Sequence, residues 1–433
     1  MTRCLLAISE QAADDAMTAG TFDEVFLWSR SARSTFTGTL SPYLESLGEV
    51  NPRNVDLVRI ALGVLAADRS VLREGGGASW NTRSFELHVQ VGDAQAWARE
   101  ASNLATLVGF LTGDYWTFEF TQAAADDIDP RQTEDPDFDR TILLSGGADS
   151  ATGALISALD LTEDTSQALV SQYSSTALSP IQQALVKMIT GHALKIRLAH
   201  HQFHLNRGTR RLHGTTFRNE TSTRSRSLLF LALGLAVAQR AATPLWIPEN
   251  GFASLNPPLG ADRRGALSTH TTHPRFLRDL QALVERIGGH GQIRNPFERL
   301  TKGEMFAQLR ERVGRGAASD YLSATNSCSH TDARYIGAPP ASSCGVCFGC
   351  LVRRSSFAAA DIPDGTEYLC DDTTGQFSDF VQTKSIIEPM RDFAGRGIRA
   401  RDIMAMSLPP DYPAKDALEV CQRGISELRS FLS

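Results

Sequence analysis

The chain has 433 residues, enough for two to three domains with sizeable cores. It is 42% hydrophobic and 21% charged, with a formal charge of -6, a balance ordinary for a globular protein and contrary to bulk, non-specific nucleic-acid binding. No apolar run is long enough to span a bilayer, and Met1-Thr2-Arg3-Cys4 has no signal-peptide pattern, so a cytoplasmic location without a membrane partner is expected.

Residues 1–121 read as a small α+β domain. Residues 85–91 alternate, with Phe85, Leu87, Val89 and Val91 on one face, and residues 115–120 do the same with Trp116, Phe118 and Phe120. Between them Asp93 is the expected N-cap of one amphipathic helix over 94–111, closed by Gly113. Residues 55–67 form an apolar strand or helix, followed by a turn at Gly75-Gly76-Gly77. His88 alternates outward as a surface residue. Residues 122–140, with Pro130, Pro136 and an acidic run, read as a linker.

From 141 onward strands and helices alternate: a strand at 141–144, a helix at 151–159, a strand at 167–173, a helix at 180–190 and a strand at 194–199. That alternation predicts a doubly wound parallel sheet, with ligands at the carboxyl ends of the strands. The first strand runs into Ser145-Gly146-Gly147-Ala148-Asp149-Ser150. Small residues allow a tight turn and close ligand approach. Free N–H groups and the positive helix end make the turn an anion site, and phosphate is the expected ligand. A Walker loop would need a Lys after the second Gly, and none is present.

Residues 200–226 are polar and basic and read as a long functional loop. Arg226 heads the apolar helix that follows, where it can hold a phosphate or carboxylate. A short strand at 244–247 ends at Glu249-Asn250-Gly251, which puts Glu249 at a ligand-facing strand end. His270 and His273 stand near another. Thr301 with Glu304 forms a capping-box pattern, and Lys302 lies in the first turn against the helix dipole, which suggests a phosphate contact.

Four of the seven cysteines cluster: Cys328, then after fifteen residues Cys344, Cys347 and Cys350. Four thiolates suit a closed, structural Zn²⁺ site, which is favoured over an iron–sulfur cluster on ligand type and spacing. Cys4, Cys370 and Cys421 read as isolated and inert. Arg353-Arg354 forms a surface pair or faces a nucleotide. Residues 361–433 read as a helical extension ending in an amphipathic helix over 413–432.

Ser-Gly-Gly-x-Asp-Ser resembles the pyrophosphate loop of the PP-loop ATP-pyrophosphatases, an adenine-nucleotide alpha hydrolase (HUP-like) fold that cuts ATP between its α- and β-phosphates. Together with Arg226, Glu249, Lys302 and the Cys4 knuckle, residues 141–360 resemble QueC, the 7-cyano-7-deazaguanine synthases. The resemblance implies that Ser145, Gly146, Gly147, Asp149 and Ser150 bind ATP and Mg²⁺. It implies catalytic roles for Asp149, Arg226 and Lys302, substrate contact for Tyr173, Glu249 and His273, and Zn²⁺ on Cys328, Cys344, Cys347 and Cys350. QueC has Asp-Tyr-Gly-Gln-Arg-His after its second strand; here Gln172-Tyr173-Ser174-Ser175-Thr176-Ala177 keeps only the Tyr. Size and layout look more like the QueC-like member (QatC) of the Qat anti-phage systems. That implies adenylation of a 7-deazaguanine carboxylate and amide formation with the N-terminal amine of a QatB-like partner protein. The alternatives are nitrile synthesis with ammonia and a nucleotide-binding scaffold.

Overall fold

A computed structural model describes residues 1–73, 81–124, 138–173, 177–257, 270–330 and 332–433. In chain order the elements are β1 (Thr2–Ala7), α1 (Glu10–Ala19), β2 (Glu24–Leu27), β3 (Phe36–Gly38), α2 (Pro52–Ser70), β4 (Ser84–Val91), α3 (Ala94–Arg99), α4 (Ala101–Thr112) and β5 (Tyr115–Gln122). There follow β6 (Arg140–Leu143), α5 (Ala148–Asp160), β7 (Ser166–Tyr173), α6 (Leu178–His192), β8 (Arg197–Arg207), α7 (Arg226–Ala238), β9 (Leu245–Trp246), α8 (Gly251–Leu255), α9 (Pro274–Arg286) and β10 (Ile293–Arg294). The rest is helical: α10 (Lys302–Val313), α11 (Arg315–Ser323), α12 (Phe348–Ala359), α13 (Ser378–Lys384), α14 (Ile387–Arg396), α15 (Ala400–Met404) and α16 (Ala414–Leu432). The chain forms an α/β protein with two compact units, neither contiguous in sequence. One contains Met1–Thr141, His201–Leu245 and Arg264–Arg294; the other contains Ile142–His200, Trp246–Arg263 and Asn295–Ser433.

The first unit has a four-stranded sheet in the order β2-β1-β4-β5, with all pairs parallel. Phe85, Leu87, Val89, Val91, Trp116 and Phe118 are buried on the alternating face the sequence indicates. The single helix expected over 94–111 is two, α3 and α4, broken at Glu100; Asp93 caps the first through Ala96 N (2.8 Å) and Gly113 ends the second in the left-handed conformation. Residues 55–67 belong to α2, which is buried almost all round, so no one-sided periodicity marks it as a helix.

The strand expected at 194–199 is displaced. β8 runs to Arg207, with Phe203, Leu205 and Arg207 buried, and residues 205–207 pair antiparallel with β3. Polar side chains on the other face conceal this strand within the basic stretch. Beyond it, Asp68 at the end of α2 accepts hydrogen bonds from the backbone of Arg224 (2.9 Å) and Ser225 (3.1 Å) and from the Ser225 hydroxyl (2.8 Å). Arg83 and Arg73 bind the same buried carboxylate, and both also pair with buried Asp114. The head of α7 is thus tied to the N-terminal sequence. Arg226, its first residue, is exposed.

Strands β9, β6, β7 and β8 neighbour one another in that order, with α5 between β6 and β7 and α6 between β7 and β8 in sequence. Adjacent strands joined by helical crossovers are the βαβ arrangement that alternation predicts. Ile142, Leu144, Ala151, Ala154, Leu155 and Leu169 form its core with Met305, Phe306 and Leu309 of α10. The C-terminal helices have a core of their own, centred on Val420, Ile425 and Leu428 of α16. No helix among the described residues is long and apolar enough to cross a membrane. The Gly75–Gly77 turn, most of the expected linker, and Ser174, Ser175 and Thr176 lie outside the described residues.

Candidate active site

The site in the second unit begins at the turn from β6 to α5. Gly146 takes φ +95°, which disfavours any side chain. Gly147 is the N-cap of α5, so Asp149 and Ser150 already lie in its first turn. The helix starts earlier than residue 151 because the glycine cap leaves these N–H groups pointing into the turn. Two serines hold the loop. The Ser150 hydroxyl accepts from Ser145 N (3.1 Å) and donates to Gly147 O (3.1 Å), while Ser145 Oγ accepts from Gly147 N (3.2 Å). Gln182 of α6 donates to Ser145 O (3.1 Å).

Asp149 is the electrostatic centre. It is 8% exposed, and its Oδ2 lies 2.6 Å from Nζ of Lys302, which is 6% exposed. The predicted capping box at Thr301 and Glu304 is present and starts α10 at Lys302. The unfavourable placement of Lys302 against the helix dipole is offset by this buried pair. Asn250 donates to Asp149 Oδ1 (3.1 Å) and to Glu249 Oε1 (3.2 Å), and its own Oδ1 caps α8 through Ala253 N. Asn295 donates to Glu249 O (2.8 Å). Burial and the neighbouring Asp149 carboxylate push the Glu249 carboxyl well above the usual carboxylate range. The site therefore holds a close ion pair, Asp149–Lys302, with the buried Glu249 carboxyl beside it.

Gly153 permits this approach. A Cβ there would sit 2.2 Å from Pro248 Cβ and 2.9 Å from Phe297, so α5 packs directly on the strand end that delivers Glu249 and Asn250. Tyr173 ends β7 and is half-buried. Arg226 and His273 belong to the first unit. There His273 is buried, its Nδ1 caps α9 through Arg275 N (3.2 Å), and its ring meets Phe110 edge-on.

The four clustered cysteines converge, with all sulfurs within 4.8 Å of one another. Cys328 and Cys347 sulfurs are 4.0 Å apart, and those of Cys344 and Cys350 3.9 Å. A tetrahedral Zn²⁺ with bonds of about 2.3 Å needs sulfur separations of about 3.8 Å, so the set fits zinc with no open ligand position. Backbone N–H groups of His330, Cys344 and Cys347 point at these sulfurs, as suits thiolates. Cys370 is not isolated: it packs against this cluster, 3.4 Å from Arg354 Nη1.

The knuckle is joined to the phosphate-type loop by the two residues before Cys328. Asn326 N donates to Gly146 O (2.9 Å), and Ala148 N donates to the Ser327 hydroxyl (3.3 Å). Arg353 is neither a surface residue nor turned to the loop. It is buried and donates to the carbonyls of Leu322 and Thr325 and to Thr366, holding the strap that carries Asn326 and Ser327. Asn250, Gln182, Ser327 and Gly153 were not singled out in the sequence. Only Asn250 had a local signal there, as a capping residue before a short helix.

A scan of protein-family models finds no match, and no solved structure matches the chain. Curated relatives do. The chain is 29% identical over 147 residues to the 7-cyano-7-deazaguanine synthase of Novosphingobium aromaticivorans, covering 33% of this chain and 54% of that protein. It is 30% identical over 148 residues to 7-cyano-7-deazaguanine synthase 1 of Sphingopyxis alaskensis, covering 33% and 57%. To the 7-cyano-7-deazaguanine synthase of Syntrophobacter fumaroxidans it is 37% identical over 92 residues, covering 21% and 34%. The chain spans between 34% and 57% of the length of these relatives. Together with the fold and the Cys4 cluster, these matches support a QueC-like domain within the chain.

Proposed function

We propose that the chain is an ATP-dependent, AMP-forming C–N ligase of QueC type. In this reading it activates the carboxylate of 7-carboxy-7-deazaguanine, or a close analogue, and forms an amide with the N-terminal amine of a QatB-like partner protein in anti-phage defence. The observation that carries it is the buried Asp149–Lys302 pair behind a glycine-capped anion turn, with Glu249 joined to it through Asn250.

A carboxylate is a poor electrophile because its leaving group would be oxide. A substrate carboxylate oxygen attacks the α-phosphorus of ATP, the bond from that phosphorus to the bridging oxygen breaks, and pyrophosphate leaves. The amine nitrogen then attacks the acyl carbon, the bond to AMP breaks, and the nitrogen loses a proton to water. The loop N–H groups, Ser145 and Ser150 bind phosphate oxygens, and Lys302 stabilises charge on the departing pyrophosphate. Asp149 would hold Mg²⁺, which neutralises phosphate charge when bound. Glu249 and Tyr173 contact the base. Zinc on the four cysteines would hold the strap at Asn326 and Ser327.

The names of the relatives favour a second reading, nitrile formation from ammonia. Incubation with ATP and 7-carboxy-7-deazaguanine, with ammonia or with candidate partner proteins, followed by mass spectrometry, separates the two. A mass increase on the partner supports the ligase, and a free nitrile with ammonia alone supports the synthase. ATP binding without AMP release in every mixture refutes both and leaves a nucleotide-binding scaffold.

A further inference from the structure

Lys302 stands in a segment that packs against α16, the C-terminal helix. Residues 299–304, which lead into α10, are gripped by one face of α16. Arg423 donates to Glu304 (2.7 Å) and to the carbonyl of Arg299 (2.7 Å), and Asp416 pairs with Arg299 (2.6 Å). One turn beyond Arg423, Glu427 places its carboxylate at the N-terminus of α10. It accepts a hydrogen bond from the Thr301 hydroxyl and another from Gly303 N (3.3 Å). Those two residues flank Lys302. The fit leaves no room for a side chain between them: a Cβ on Gly303 would lie 2.6 Å from Glu427 Oε1.

The same helix touches the other arm of the site. Gly424 packs against the Phe252 ring, where an added Cβ would meet it at 2.5 Å, and Val420 reaches Gly251. Gly251 and Phe252 directly follow Glu249 and Asn250. Thus α16 abuts both segments that converge on Asp149. It also supplies a hydrogen-bonding carboxyl group at the N-terminal end of α10, beside Lys302.

We propose that Glu427 is a positioning residue that, by fixing Thr301 and Gly303, holds Lys302 against Asp149, making the C-terminal helix part of the active site. As a claim about catalysis this rests on the ligase reading; as a claim about geometry it does not. A glutamine at 427 can accept from Gly303 N and donate to Thr301 Oγ1, whereas an alanine can do neither.

The test compares wild type with Glu427→Ala and Glu427→Gln in the full chain. The first readout is acylation of Lys302 by an amine-reactive ester, followed by peptide mass spectrometry under conditions where circular dichroism shows folded protein. Expected is a rise of roughly tenfold in the Lys302 labelling rate for Glu427→Ala, with Glu427→Gln within about twofold of wild type. The second readout is AMP formation. Glu427→Ala lowers kcat by about tenfold or more with KM for ATP changed less than about threefold, and Glu427→Gln restores it. Where Glu427→Ala does not fold, Glu427→Asp, too short to reach both partners, replaces it with the same expectations. Unchanged Lys302 labelling in a folded alanine or aspartate variant overturns the proposal, as does a glutamine variant that labels like alanine. Wild type that forms no AMP refutes the ligase reading, while labelling alone still decides the role of Glu427.

Discussion

Gly153→Ala isolates the contact on which the site depends. Glycine inside an exposed helix is a liability, and replacing it by alanine ordinarily gains up to about 1 kcal/mol. At Gly153 the new Cβ falls 2.2 Å from Pro248 Cβ and 2.4 Å from Pro248 Cγ, between a helix backbone and a rigid ring. Carbon atoms need about 3.5 Å, so α5 and the strand end must separate by roughly 1.3 Å. Overpacking of this kind costs about 1–3 kcal/mol, which outweighs the propensity gain. A separation that large along the same line also takes the 3.1 Å bond between Asn250 and Asp149 out of range. Urea denaturation provides the measurement, with Gly191→Ala as the internal control: Gly191 lies in α6 with nothing within 4 Å of a new Cβ. Gly191→Ala is expected to be neutral or more stable, and Gly153→Ala to lose about 1–2 kcal/mol net. A Gly153→Ala protein at least as stable as wild type would refute the close approach of α5 to Pro248.

Three further outcomes follow from the same geometry. Lys302→Met strands the buried Asp149 carboxylate beside Glu249 and is expected to cost about 3–5 kcal/mol, while the double variant Asp149→Asn, Lys302→Met recovers much of it; additive losses in a denaturation cycle would contradict a direct pair. Burial raises the Glu427 carboxyl from 4.5 to about 7, so the folded state holds this proton more tightly than the unfolded chain. That contribution is complete below about pH 4.5 and is lost as pH rises through about 7, so wild type should fall relative to Glu427→Gln by up to about 3 kcal/mol across that window, with Arg423 and Glu304 the charged groups facing it; a flat difference in thermal midpoint against pH would contradict the assigned burial. Elemental analysis should find one zinc and no iron per chain, and Cys344→Ser should lose the metal together with several degrees of thermal stability; an iron–sulfur absorption band would overturn the zinc assignment.

Short-range chemistry made several parts of this protein readable from sequence. The anion turn was legible because a left-handed Gly146 and a capping Gly147 are demanded wherever a strand turns straight into a helix around a ligand. The capping box at Thr301 and Glu304 is a local hydrogen-bond pattern, and the cysteine spacing states a tetrahedral donor set directly. The strand faces at residues 85–91 and 115–118 came from a period of two. Where that periodicity is masked, the sequence leaves the element or its bounds open. α2 is buried all round, β8 is hidden by its histidines and arginines, and the helix over 94–112 breaks at Glu100 without a glycine or proline to announce it.

Residues 145–150, 249 and 302 could each be suspected as ligand contacts from the sequence. That Asp149, Glu249, Asn250 and Lys302 share one buried hydrogen-bonded cluster is a fact of packing alone, because it depends on a missing side chain at Gly153 meeting a proline almost one hundred positions away. The same holds for Glu427, an ordinary surface-type residue on an amphipathic helix until tertiary structure puts it against Thr301 and Gly303. Local sequence determines dihedral preferences, caps and ligand types, since these act within a few residues. Which carboxyl meets which amine is decided by long-range packing, whose energies are set by partners that no spacing rule along the chain identifies.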